Sequence, residues 1–142
     1  MEGNTALLLA ATGTALAALL HIGCIAFGPA WYDALGAGER MVRWSRERRW
    51  RPTVITGTIT LVLGIWTLYA LAGAGMLPTL PATRFILPAI TAVLLLRGIA
   101  GVAIAALRPG YNGVRFWIVS SVACLGLGGF YLAGTLQAWP SL

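Results

Sequence analysis

Four long apolar stretches constrain the fold more than any other feature of the sequence. A helix needs about 20 mostly apolar residues to cross the hydrocarbon core of a bilayer. Four stretches meet this requirement: Leu7–Phe27, Val54–Leu77, Phe85–Leu107 and Phe116–Leu136. Only 10% of the residues are charged, whereas soluble domains carry about 25%. We therefore predict an all-α integral membrane bundle of four transmembrane helices, formed as a single domain by residues 1–142.

The distribution of arginines predicts the orientation of this bundle. The chain has no lysine, and eight of its ten arginines lie in the connections that follow the first and third stretches. The opposite side has only Arg84. Under the positive-inside rule the arginine-bearing connections face the cytoplasm, which leaves both termini on the outer, periplasmic side. We expect a multi-pass protein of the bacterial inner membrane, with the first stretch retained because it is too long for a signal peptide and lacks a basic start.

The connection 28–53 is predicted to be a cytoplasmic, arginine-rich segment in contact with lipid. Arginines beside a membrane attract anionic lipids by about 1 kcal/mol per charge near the surface. A nucleic-acid partner is not expected, because no recognised binding module accompanies the charge. The arginines in question are Arg40, Arg43, Arg46, Arg48, Arg49 and Arg51.

Arg97 is the one arginine that topology does not explain, because it lies about ten residues from either end of its stretch. A charge at the bilayer centre costs roughly 2.5–3.5 kcal/mol on insertion scales, and such a residue normally has a partner. No carboxylate lies within the four stretches, so one hypothesis is an ion pair with Glu39 or Asp33, with His21 nearby. A second is that Arg97 and His21 bind an anionic or polar headgroup in a cavity that opens to the cytoplasm. The third is snorkelling of the guanidinium toward one interface.

The reactive side chains exclude several classes of membrane enzyme. Cys24 and Cys124 are single, whereas thiol oxidoreductases of the membrane use paired cysteines. One histidine cannot supply two axial ligands to a haem. His21, Cys24 and Cys124 would leave a zinc ion short of the usual four ligands. We therefore predict neither a metal nor a cofactor.

Small residues at helical spacing predict where the helices pack, since small side chains let helices approach closely in lipid. The series are Ala10, Thr14, Ala17, His21, Cys24 and Gly28 in the first stretch, Thr56, Thr60 and Gly64 in the second, Gly98, Gly101 and Ala105 in the third, and Ser120, Cys124 and Gly128 in the fourth.

Several short segments give the chain a resemblance to a family of uncharacterised bacterial four-helix inner-membrane proteins. These segments are His21 in its apolar stretch, GAGERM at 36–41, YALAGAG at 69–75 followed by LP at 80–81, ITAVLLLRG at 90–98, and FWIVSSVACLGLG at 116–128. The resemblance implies a four-span membrane protein and singles out His21, Glu39 and Arg97. Because no reaction is assigned to that family, it implies no catalytic residue.

Two functions remain open from the sequence. The favoured one is a non-enzymatic accessory, assembly or lipid-binding component, with a membrane-protein partner or a second copy as its further partner. The alternative is a membrane-embedded enzyme or transporter that binds an anionic or polar headgroup through His21, Glu39 and Arg97. Few catalytic groups are available for the alternative, so it ranks second.

Overall fold

The computed structural model describes residues 3–142, and this part of the chain folds into α-helices without strands. Four of the helices are long and apolar enough to cross a membrane. The predictions of an all-α fold and of four long apolar helices are confirmed. In chain order the helices are α1 (Thr5–Phe27), α2 (Pro29–Ala34), α3 (Glu39–Arg46), α4 (Trp50–Gly73), α5 (Thr83–Leu107) and α6 (Val114–Ala138), followed by a short 3₁₀ turn (Trp139–Ser141).

The first long helix begins at a capping asparagine that also connects α1 to α6. The Asn4 side-chain oxygen accepts a hydrogen bond from the Leu7 N–H over 3.0 Å, which satisfies one of the unpaired donors of the first turn. Its amide Nδ2 donates to the Gly134 carbonyl over 2.6 Å. One side chain therefore sets both the start of α1 and its position against the last helix.

Helix α4 begins and ends about four residues earlier than the sequence predicts. Pro52 is its third residue, a first-turn position at which the missing N–H of proline costs nothing. At the other end Gly75 has φ +79°, and Met76 N–H donates to the Leu71 carbonyl over 2.9 Å. This is a Schellman ending, and it stops the helix at Gly73 although Met76 and Leu77 are apolar.

The four long helices alternate in direction, so the bundle has two distinct ends. The arginine-rich end, as we name it, holds the last turns of α1 and α5, the first turns of α4 and α6, and both short helices. The opposite end holds the remaining helix ends and the described chain ends.

The packed core lies in the half of the bundle next to the opposite end. Its apolar members come from all four long helices: Leu7, Ala10, Ala11, Ala70, Leu87, Ile90, Leu94, Tyr131 and Ala138. The buried Tyr131 hydroxyl donates to the Trp66 carbonyl over 3.0 Å, and Thr14 and Thr67 share a hydrogen bond of 2.9 Å. These bonds join α1, α4 and α6 in the part of the bundle where buried polar groups need protein partners.

The predicted small-residue contacts hold for α5 and α6 and fail in part for α4. The backbone at Gly98 packs against Leu125, and that at Gly128 packs against Leu95. Gly64, in contrast, has no described atom within 4 Å of the place a Cβ would occupy. The prediction for Gly64 is wrong because α4 presents Leu63 and Ala70 to its neighbours instead.

The arginine-rich connection contains two short helices that the sequence pattern did not predict. Pro29 begins α2 at a position where its fixed φ suits a helix. Gly36 and Gly38 have φ of +70° and +96° and reverse the chain between α2 and α3. Arg115, at the start of α6, donates to the Ala34 carbonyl over 2.9 Å. The connection therefore folds back against the bundle.

Candidate functional site

A cavity of about 600 Å³ lies at the arginine-rich end of the bundle. Its walls are formed by the second half of α1 and the first halves of α4 and α6, with α2, α3 and the turn before α6 closing it. Among the described residues, α5 supplies none of the lining. Most of the wall is apolar, through side chains such as Leu20, Ile55, Ile59, Val119 and Ala123.

The cavity follows from uneven packing along the bundle. The core side chains lie toward the opposite end, where α1, α4, α5 and α6 converge. Toward the arginine-rich end, α4 and α6 hardly contact one another, and the space between them is bounded by α1. The bundle therefore has a packed half and an open half, and the open half is covered by the folded connection.

His21 lies in the wall of this cavity, half-buried. Its Nδ1 is 2.6 Å from the Ala17 carbonyl oxygen, one turn earlier in α1. Since a carbonyl can only accept, Nδ1 carries the proton and donates it. In the neutral ring Nε2 is then an acceptor, and Nε2 has no hydrogen-bond partner among residues 3–142.

Tyr32 is the buried member of the closing segment, and it anchors α2 to α4. Its hydroxyl lies 2.9 Å from Thr56 Oγ1, and the side chain is only 3% exposed. Burial raises the pKa of the Tyr32 phenol, although the hydrogen bond with Thr56 lowers it in part. The group thus stays protonated at neutral pH and acts as a fixed contact between helices.

Arg40 supplies positive charge where the cavity meets solvent. It is the second residue of α3, exposed on one side and lining the cavity on the other. Its guanidinium carbon lies 5.8 Å from the ring centroids of both Trp44 and Tyr111. Two cation–π contacts hold the group in place. In the described part of the chain it forms no ion pair, so its N–H donors remain available.

Asn112 lies beside Arg40 in the turn before α6 and has a buried oxygen without a partner. Its φ is +60°, a left-handed conformation that asparagine tolerates better than most residues. The amide packs directly against the Gly38 backbone and lines the cavity. Oδ1 is buried and accepts no hydrogen bond from any described residue. A buried acceptor of this kind ordinarily has a partner.

Arg97 lies behind the cavity wall, against α6. Its Nη2 donates to Ser120 Oγ over 3.2 Å, and its guanidinium carbon is 4.8 Å from the Trp117 ring centroid. Nη1 is buried near Gly101 without a partner among residues 3–142. The side chain thus extends from mid-helix toward the arginine-rich end.

The predicted partners of Arg97 lie elsewhere. Asp33 and Glu39 are exposed and share a surface recess with Val42, Arg43 and Arg46. The one ion pair within the described residues joins Arg49 to Glu47, over 2.6 Å and at the exposed surface, where such a pair contributes little. The structure therefore forms no ion pair between Arg97 and either Glu39 or Asp33.

The structure separates the three residues that the sequence placed in one site. His21 lines the cavity, Arg97 lies behind its Trp117 wall, and Glu39 lies in the surface recess. Among residues 3–142 no three metal-ligating side chains come together.

Most residues that line the cavity were not predicted as site residues, and two polar ones among them matter for the site. Tyr32 and Asn112 stand in short polar segments whose inward orientation depends on the fold of the connection. Nearby glycines of positive φ, Gly36 and Gly38 after Tyr32 and Gly113 after Asn112, mark the tight turns of these segments. Arg40 was predicted to contact the lipid surface, but the cavity places it at an interior site as well.

No family model, curated protein or solved structure matches this chain.

Proposed function

We propose that this protein is a multi-pass inner-membrane protein that binds a membrane lipid in the cavity at its arginine-rich end. In this proposal both termini face the periplasm and the arginine-rich end faces the cytoplasm. The protein acts as a lipid-binding or accessory component and not as an enzyme.

The combination of apolar walls and a polar end in one cavity carries this proposal. Ligand sites of 300–1,000 Å³ with apolar walls and a few placed polar groups are typical of small-molecule binding, and the cavity of about 600 Å³ falls in that range. Arg40 and Asn112 provide the polar end, and Ile55, Ile59 and Val119 provide the apolar wall. An amphipathic molecule matches both parts at once.

The location of the cavity also favours a lipid over a soluble ligand. The walls come from helices whose composition suits the hydrocarbon core, and the polar end lies among arginines that attract anionic headgroups. Tryptophan and tyrosine side chains typical of the membrane interface, Trp44, Tyr111 and Trp117, line the same end. A headgroup at Arg40 would therefore lie at interfacial depth.

An enzyme or transporter that uses His21, Glu39 and Arg97 together has less support. General acid–base catalysis needs its groups within hydrogen-bond reach of one substrate. Of the three, only His21 lines the cavity. Tyr32, a buried proton-bearing group in the wall, is already hydrogen-bonded to Thr56.

Filling the cavity tests the proposal. Ala123 is an exposed alanine of α6 that lines the cavity, and Ala103 is an exposed alanine of α5 outside it. The measurement is native mass spectrometry of the detergent-purified chain, with extraction of bound lipid. We expect Ala123→Phe to lose a co-purifying lipid that the wild type and Ala103→Phe retain. Equal retention by all three proteins would refute lipid binding in the cavity.

A further inference from the structure

We propose that the cavity takes up its lipid sideways from the cytoplasmic leaflet, through an opening between α4 and α6, while the folded connection stays closed. This inference rests on the proposed lipid-binding function and adds the route by which the ligand reaches the site. It is carried by the attachment of the folded connection to both helices and by the exposure of the wall beyond it.

The folded connection is attached to α4 on one side of the cavity and to α6 on the other. The Tyr32 hydroxyl lies 2.9 Å from Thr56 Oγ1 of α4. Arg115 of α6 donates to the Ala34 carbonyl over 2.9 Å, and the buried Gly36 packs against the same arginine side chain. Entry past the folded connection would therefore require these hydrogen bonds to break.

The inner part of the cavity wall is exposed, although the folded connection covers the outer part. Tyr32 in the connection is only 3% exposed, whereas Leu20 of α1 and Ile59 of α4 are 37% and 40% exposed. Ala123 of α6 is exposed as well. A pocket that opened only at its cytoplasmic end would have a buried inner wall. The inner wall of this cavity is instead open at the side.

This exposed wall lies at the depth of the hydrocarbon core in the proposed orientation. Ile59 is nine residues beyond the start of α4, and Ala123 is nine residues beyond the start of α6. At 1.5 Å per residue both lie about 14 Å along their helices, and half of a hydrocarbon core is about 15 Å. Leu63, one turn further along α4, is buried. The lateral opening, as we name the gap between Ile59 and Ala123, thus faces acyl chains.

The packing of the helices leaves the lateral opening uncovered. Helices α4 and α6 hardly contact one another, and α5 supplies none of the lining among the described residues. Helix α4 packs mainly against α1, and α6 packs mainly against α5. Since α1 contacts both α4 and α6, it forms the back of the cavity. The side away from α1 is then the side that meets the bilayer.

A lipid of the cytoplasmic leaflet already has the orientation that this geometry requires. Arg40 and Tyr111 are exposed at the polar end of the cavity. A headgroup can therefore remain at the interface beside Arg40 while a chain enters between Ile59 and Ala123. The charged headgroup never crosses the hydrocarbon core, where it would be costly. Lateral entry thus needs no opening of the folded connection.

Two reversible cross-links of the same chemistry test this route. Both use a chain whose two native cysteines are replaced by alanine, and a bifunctional methanethiosulfonate that dithiothreitol removes. Ile59→Cys with Ala123→Cys links α4 to α6 across the lateral opening. Ala34→Cys with Arg115→Cys is the matched control, because it replaces the hydrogen bond between the folded connection and α6 by a covalent link.

The measurement is the exchange of the bound lipid. Vesicles of phosphatidylethanolamine and phosphatidylglycerol that hold the full-length protein are fused with an excess of vesicles whose lipids carry deuterated chains. Native mass spectrometry follows the deuterated fraction of the bound lipid. We expect the link across the lateral opening to slow exchange by about tenfold or more, as for passage through an overpacked gap, and reduction to restore it. The link between the folded connection and α6 should leave the rate within about twofold.

The opposite results would overturn the inference. If linking the folded connection stops exchange, the lipid enters past that segment, whether or not the other link also acts. Exchange that is unaffected by the link across the lateral opening would overturn it as well. With either result, loss of bound lipid in Ala123→Phe would still support the proposed function. If Ala123→Phe keeps its bound lipid, the cavity proposal itself fails.

Discussion

Replacement of Arg97 by methionine tests how a charge within a long apolar helix is accommodated. The variant loses a hydrogen bond from a charged donor to Ser120, worth about 1.5–3 kcal/mol. It also loses the contact with Trp117, worth about 0.5–2 kcal/mol. Against these losses, removal of the charge recovers roughly 2.5–3.5 kcal/mol of insertion cost. We therefore expect Arg97→Met to change the free energy of unfolding by no more than about 2.5 kcal/mol in either direction.

An ion pair between Arg97 and Glu39 makes a different prediction. Loss of one partner from a buried pair costs about 3–5 kcal/mol, because the other charge is left without compensation. The structure instead places Glu39 at the exposed surface, away from Arg97. Glu39→Gln should accordingly leave stability unchanged within about 0.5 kcal/mol, as for most surface substitutions.

Double-mutant cycles in detergent micelles, with unfolding followed by circular dichroism, distinguish the two accounts. Arg97→Met combined with Glu39→Gln should show a coupling energy below about 0.5 kcal/mol, as for groups that do not touch. Arg97→Met combined with Ser120→Ala should show coupling of about 0.5–3 kcal/mol, as for residues in contact. A coupling energy above about 1 kcal/mol between Arg97 and Glu39 would refute the arrangement described above.

The remaining predictions concern the ends and faces of the helices. Asn4→Ala should lower the free energy of unfolding by about 1–2 kcal/mol in the same assay, because it removes a cap and the bond to Gly134; an unchanged midpoint would contradict that role. Gly134→Ala should destabilise by about 1–3 kcal/mol, since its Cβ would lie 2.8 Å from the Leu7 backbone nitrogen. Gly57→Ala, with no described atom within 4 Å, should be neutral or stabilise by up to about 1 kcal/mol. If Gly57→Ala lowered the free energy of unfolding more than Gly134→Ala does, that result would be evidence against the helix packing described for these glycines. Arg46→Cys, with Cys24 and Cys124 replaced by alanine, should react with an impermeant maleimide only from the cytoplasmic side of membrane vesicles, and labelling from the periplasmic side would reverse the proposed topology.

The long helices could be predicted because a helix that crosses a bilayer needs a continuous run of apolar residues, and such a run is visible in the local composition. Each apolar stretch is long enough by itself, so no tertiary contact is needed to recognise it. The ends were less accurate because they depend on backbone detail. Pro52 occupies the first turn of α4, so the helix begins before the apolar stretch, and the positive φ of Gly75 ends that helix before the apolar residues do.

The candidate site could be predicted only in part. His21, which the sequence placed on the small-residue face of α1, lines the cavity. The direction of the Arg97 side chain could not be read from its position, since it is set by Ser120 and Trp117 on another helix. Arg40 stood in a run of six arginines with nothing local to distinguish it. Its role depends on how α3 folds back, which is a tertiary property.

Photo-crosslinking with a phospholipid that carries a diazirine on its acyl chain tests the lipid-filled cavity most directly. The probe is added at one molecule per protein in detergent, and the labelled peptides are identified by mass spectrometry. The proposed function predicts adducts concentrated on the cavity faces of α4 and α6, at Ile55, Ile59 and Val119, and their loss in Ala123→Phe. Adducts spread equally over the exposed apolar residues of α5, such as Leu96 and Ile99, and unchanged by Ala123→Phe, would contradict it.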